Sequence, residues 1–246
     1  MKNNLSNNID ENGNVLFMIL IAVALFAALS YAVMQTNSPG GDSGQKETNL
    51  IRSSQLTQTP LMLKTAITRM TFSGADRERL LFNGPTDFGS GKPIDTLAEE
   101  KLAVFHTNGG GLTYSLAPSE VMEDGTARPY IYNAEMQIEN IGLTDVGSGD
   151  GNDIVSYLTG LKKEICKQLN SRLGIQVYVD GNGNGVPDVG GFTITDLDRA
   201  TVMDHDYAFP TSDGTIIGDD FSGQPFGCFE NTDSGEFVYY HVLLER

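Results

Sequence analysis

The sequence predicts an α+β protein in which an N-terminal transmembrane helix and a helical stalk precede an antiparallel β-sheet domain carrying one packed helix. Three observations predict it. The chain carries no charge between Glu11 and Asp42, and Val15 to Met34 is apolar apart from Ser30 and Tyr31. "YIYNAEMQI", 130–138, alternates apolar and polar residues as a half-buried strand does. Ile154, Leu158, Leu161, Ile165, Leu169 and Leu173 recur every three or four residues, the stride of an amphipathic helix.

The front segment sets the location of the rest. Twenty residues rising 1.5 Å each span about 30 Å, the hydrocarbon thickness of a bilayer. A core helix of a globular protein rarely stays apolar on every face for that length. A cleaved export signal is the competing reading, with Ser30 and Ala32 as small cleavage-site residues and a mature start near Val33. The leader "MKNNLSNNIDENG" has one Lys against two acids, a poor n-region for a secretory signal, so retention in the membrane is preferred. The predicted orientation is a single pass through the inner membrane by residues 15–34, with the large domain on the extracytoplasmic side.

The boundaries that follow are a polar leader at 1–13, a transmembrane or filament-core helix at 14–35, a Gly/Pro/Ser linker at 36–45 and an extracytoplasmic α+β domain at 46–246. The linker is "TNSPGGDSGQ", whose Pro and Gly break a helix. Leu56, Leu63, Ile67 and Met70 then predict the stalk helix within 46–72, kinked or divided at Pro60. "LAVFH" and "LTYSLA" around "TNGGG" predict a hairpin. Asp153 is the expected N-cap of the 154–173 helix, and Gly174 stands where a C′ glycine belongs. "IQVYV" and "FTIT" bracket an Asn/Gly loop, and "EFVYYHVLLER" closes the chain as an inner strand.

Composition excludes some functions. The chain holds 16 Lys plus Arg against 32 Asp plus Glu, a net charge of −16. Without Lys2, Asp10 and Glu11 the remainder is 15 against 30, or −15. Such a field repels nucleic acid and anionic headgroups. The two cysteines, Cys166 and Cys228, are expected to form one disulfide if the domain lies outside the cytoplasm. The histidines His106, His205 and His241 have no partner at catalytic or metal spacing, and no nucleophile-elbow pattern occurs. The expectation is a protein without enzymatic activity.

One stretch has ligand spacing. "VDGNGNGVPD" places Asp180, Asn182, Asn184 and Asp188 in the order D-x-N-x-N-G-x-x-D. Oxygens at alternate positions converge on one ion when the chain turns at the glycine, and calcium accepts an all-oxygen shell. The twelfth position is Gly191, where an EF-hand loop has its Glu, and with two Asn in place of Asp any site here is weak, in the roughly 10⁻⁴ to 10⁻³ M range. The same letters also suit a plain Asn-Gly hairpin turn. Both readings stand on the sequence.

A short polar leader, a glycine and then an uninterrupted apolar helix resembles the N-terminus of type IV prepilins and pseudopilins. The resemblance covers about residues 1–35 and places Gly13 at the processing glycine, with Asn14 as the new N-terminus. Met18 stands at the fifth mature position, where the family usually has Glu, which implies a minor rather than a major subunit. The resemblance implies a membrane-anchored structural subunit that self-assembles or joins an envelope filament. The alternative is an anchored or secreted binding module with a weak calcium-stabilised loop.

Overall fold

The structure, a computed structural model, describes residues 12–36, 41–142, 153–175, 181, 183–190, 215–217 and 219–245. It divides into two units, 1–45 and 46–246. The first contains helix α1, Asn12–Thr36, unbroken over 25 residues. Its side chains are described from 15 to 31, and all but Ser30 are exposed. Among the described residues, no helix is long and apolar enough to cross a membrane. The chain between 37 and 40 lies outside the described residues, and helix α2, Gly41–Phe72, begins within the stretch read as linker.

Helix α2 is one helix, not two, although Pro60 lies inside it. Ser53, Leu56, Pro60, Leu63, Ile67 and Met70 step by three and four and form its buried seam. A proline lacks the N–H that would bond the carbonyl four residues back. That carbonyl belongs to Leu56, and the Tyr130 hydroxyl donates to it at 3.3 Å. The orphan acceptor is therefore satisfied from outside the helix. Burial pushes the Tyr130 phenol up to about 12, against a smaller opposing effect of Thr59.

The chain then reverses at Gly74, φ +92°, and passes a 3₁₀ turn at Arg77–Arg79. Helix α3, Leu97–Leu102, starts at a capping box in which Thr96 and Glu99 bond each other's backbone N–H. The expected hairpin around "TNGGG" is absent. Gly109 and Gly110 lie against the backbone carbonyls of Ala103 and Val104 with no room for a Cβ. Gly110 N donates to Ala103 O at 3.1 Å and Gly111 N to His106 O at 2.9 Å. The glycines wind the chain into consecutive wide turns, which a two-strand ladder cannot accommodate.

Six strands form one mixed sheet. They are β1 (Ile131–Ile138), β2 (Asp153–Leu161), β3 (Asp188–Val189), β4 (Thr215–Ile217), β5 (Phe226–Asn231) and β6 (Glu236–Leu244), in the order β3-β5-β6-β2-β1-β4. The four inner strands pair antiparallel, as expected, but both edge pairs, β1–β4 and β3–β5, are parallel. Helix α4, Lys163–Leu173, packs on one face and ends at Gly174, φ +70°, in the left-handed conformation a C-terminal glycine supplies.

The expected 154–173 helix is thus a strand followed by a helix. Ile154 and Leu158 satisfy a spacing of four and a spacing of two equally well. Val155 and Tyr157, between them, are equally buried, because β2 is central and covered on both faces. Asp153 caps no helix. Its Oδ2 accepts the Ile138 N–H at 3.0 Å, beside a bulge between Asn133 and Met136. The bulge also divides the alternation of β1: Tyr132 and Ala134 join one core face and Ile138 the other.

The face bearing Ile154, Leu158, Cys228 and Tyr239 packs with the α2 seam and with Ile165 and Leu169 of α4. The opposite face gathers Val155, Tyr157, Phe229, Val238, Tyr240 and Val242 around Phe221. At the far end of β2, Gly160, φ +76°, makes a second bulge against which the Arg128 guanidinium lies. Arg128 donates there to Glu236 at 3.1 Å and Asp124 at 2.9 Å.

Candidate functional site

The described part of the Asn/Gly loop, residues 183–187, runs into β3, which lies beside β5. β5 is held to α4 by the disulfide Cys166–Cys228, whose Cα atoms are 5.3 Å apart. This is the bridge expected from the sequence. One helical turn further on, Asn170 donates from Nδ2 to Cys228 O at 2.6 Å and accepts Cys228 N–H on Oδ1 at 2.9 Å. A single buried amide thereby occupies both backbone groups of Cys228. The covalent bond and the amide fix β5 under α4, and with it the residue two positions on, Glu230.

Asp180 and Asn182 lie outside the described residues, so the structure places two of the four expected ligands, Asn184 and Asp188. It brings both to Glu230. Asp188 and Glu230 are register partners across the parallel β3–β5 pair. Asn184 donates its Nδ2 to Glu230 Oε2, while its Oδ1 accepts the Val186 N–H at 2.8 Å in a local turn. Asp188 Oδ2 accepts the Gly181 N–H at 2.6 Å. Its Oδ1 is buried and has no hydrogen-bond partner among the described residues. Gly183 and Gly185 take φ of +64° and +76°, the left-handed turns that fold the loop back. Lys167 reaches over from α4 and donates to Asn184 O at 3.0 Å.

The arrangement concentrates oxygen donors: one carboxylate with an orphaned oxygen, a second carboxylate on the next strand, and an amide joined to it. Oxygen donors of this kind suit a hard cation better than a soft one. Among the described residues, however, no group of three or more His, Cys, Asp or Glu side chains is disposed to hold a metal. Glu230 and Lys167 were not singled out in the sequence, because neither belongs to the motif. Only the parallel pairing of a two-residue strand brings Glu230 to the loop. Gly13 and Asn14, the expected processing residues, lie in the first turn of α1.

No known protein family, curated protein or solved structure matches the chain.

Proposed function

We propose that the chain is a membrane-anchored extracytoplasmic structural subunit of the pilin or pseudopilin kind, a minor subunit without catalytic activity. Residues 15–34 hold it in the inner membrane, with the large domain outside the cytoplasm, either alone or assembled in an envelope filament. The observation that carries this reading is the exposure of α1. Its large apolar side chains from Val15 to Tyr31 are 44% to 73% exposed, in a helix without one charged residue. A contiguous apolar surface of that extent needs lipid or neighbouring subunits to cover it. The disulfide supports a compartment outside the cytoplasm, where such bonds persist. N-terminal sequencing of the protein from its native membrane tests the reading. The expected mature start is Asn14, with the apolar helix intact. A start at Met1 leaves a plain anchor, and one near Val33 leaves a secreted domain; either overturns the subunit reading.

A second reading, a binding module with a calcium-stabilised loop, is favoured by the orphaned Asp188 Oδ1 next to Glu230. In this reading Asp180, Asn182, Asn184 and Asp188 supply the loop oxygens, and Glu230 supplies the carboxylate that Gly191 cannot. Calcium binding only to the folded loop would raise stability by about 1.4 kcal/mol at ten times Kd. The test is a thermal melt of the full chain in neutral detergent, with chelator and then with millimolar calcium. Wild type should gain several degrees and Asp188→Asn none. Equal midpoints for wild type would leave the loop as a turn.

A further inference from the structure

A cleft of about 530 Å³ opens between the end of α2, the last turn of α3 and the Gly109 turn. Its lining inverts the charge of the protein. Arg69, Arg79 and Lys101 face a single acid, Asp76, whereas the whole chain has twice as many acids as bases. Arg69 and Lys101 each lie in the last turn of a helix, where a cation complements the helix dipole. That accounts for each alone. It does not account for their convergence with Arg79, which the reversal at Gly74 brings in from a separate turn.

The walls of the cleft are held in place. Arg69 donates to Gly110 O, and Gly109 and Gly110 have no space for a side chain, so that side cannot shift outward without breaking backbone contacts. Arg79 and Lys101 are exposed, and neither is paired with a carboxylate among the described residues. Their donors are therefore available. Met70 and Leu102 add apolar lining.

We propose that this cleft binds a small organic oxyanion. Its acid group would lie between Arg79 and Lys101, and its apolar body against Met70 and Leu102. A guanidinium fork matches a carboxylate or phosphate with two parallel hydrogen bonds. The volume falls within the range of small-molecule sites and exceeds what a bare inorganic ion fills. The proposal is independent of the N-terminal anchor and of the calcium loop.

Titration calorimetry on the full chain in neutral detergent tests it. Phenylacetate and phenyl phosphate are the two acid probes, and phenylacetamide is the uncharged control. At least one acid should bind saturably at one site, and the preferred acid identifies the headgroup; the amide should not bind. The double variant Arg79→Gln, Lys101→Gln should weaken binding at least tenfold. The exposed Lys92→Gln, outside the cleft, should leave it unchanged. Both cleft side chains are exposed, so the double variant should keep the wild-type melting midpoint. Absence of saturation with both acids, or an unchanged affinity in a folded double variant, overturns the proposal.

Discussion

His241 gives the domain an acid sensitivity that one substitution isolates. The imidazole is buried in β6, stacked on Phe226 at a centroid distance of 5.0 Å, with Nδ1 2.7 Å from the Tyr239 hydroxyl. Burial, and secondarily the Lys64 ammonium on α2, lowers it to about 4. Lys64 is itself paired with Glu245 at 2.9 Å, so no free carboxylate offsets the effect there. In the unfolded chain the ring titrates near its ordinary value of about 6.5. Above that pH both states are neutral and the ring is no burden. As pH falls from about 6.5 towards 4, the unfolded chain takes up the proton first, and stability is lost across that window. With these two values the loss at pH 5 is about 2 kcal/mol, approaching about 3.4 kcal/mol below pH 4. The assay is urea unfolding of the full chain in neutral detergent at pH 7 and pH 5, for wild type and His241→Phe. The phenyl ring keeps the stack and does not titrate, and any cost to the Tyr239 hydroxyl is the same at both pH values. Wild type should lose about 2 kcal/mol more than the variant between the two. Equal losses would refute the reasoning.

Other perturbations have defined outcomes. Cys166→Ser, or reduction of the bridge, should destabilise the domain by about 4 kcal/mol in the chain-entropy model, read as a fall in the urea midpoint. Alkylation of non-reduced protein should label no thiol. Asn170→Ala, which leaves two buried backbone groups of Cys228 unpaired, should cost about 2–4 kcal/mol even with the disulfide intact. Tyr130→Phe should cost about 1–2 kcal/mol, and less in a Pro60→Ala background, where residue 60 regains the N–H that bonds Leu56 O. A double-mutant cycle measures that coupling, and additive costs would mean the hydroxyl does not serve the proline gap.

Much of the domain was legible where one face of an element meets water. The α2 seam, the early part of β1, the glycine after α4 and the inner position of β6 all followed from spacing and turn chemistry. The failures have particular causes. Strand β2 is buried on both faces, so its apolar residues carry no period of two, and a stride of four reads as helix. In β1 the bulge after Asn133 moves Ile138 to the opposite face, a shift the letters do not encode. The parallel edges depend on strands of two and three residues, below the length at which any pattern registers. The same limit hid Glu230, which reaches the Asn/Gly loop only through β3. The cleft cations were invisible for another reason: they come from three separate turns, and nothing in their spacing joins them.

The order of the strands has a consequence for how the domain is made. The two strands that β6 joins, β2 and β5, have no other link to each other within the sheet, and β6 is the last strand in the sequence. A nascent chain that has emerged as far as Asn231 holds the two halves of a sheet with no strand to bridge them. Ordering them earlier would carry the entropy of a long open loop with no ladder to offset it. The domain should therefore fold late, after synthesis has passed Leu244. Loss of the final ten or so residues would not trim an edge; it would take out the middle of the sheet.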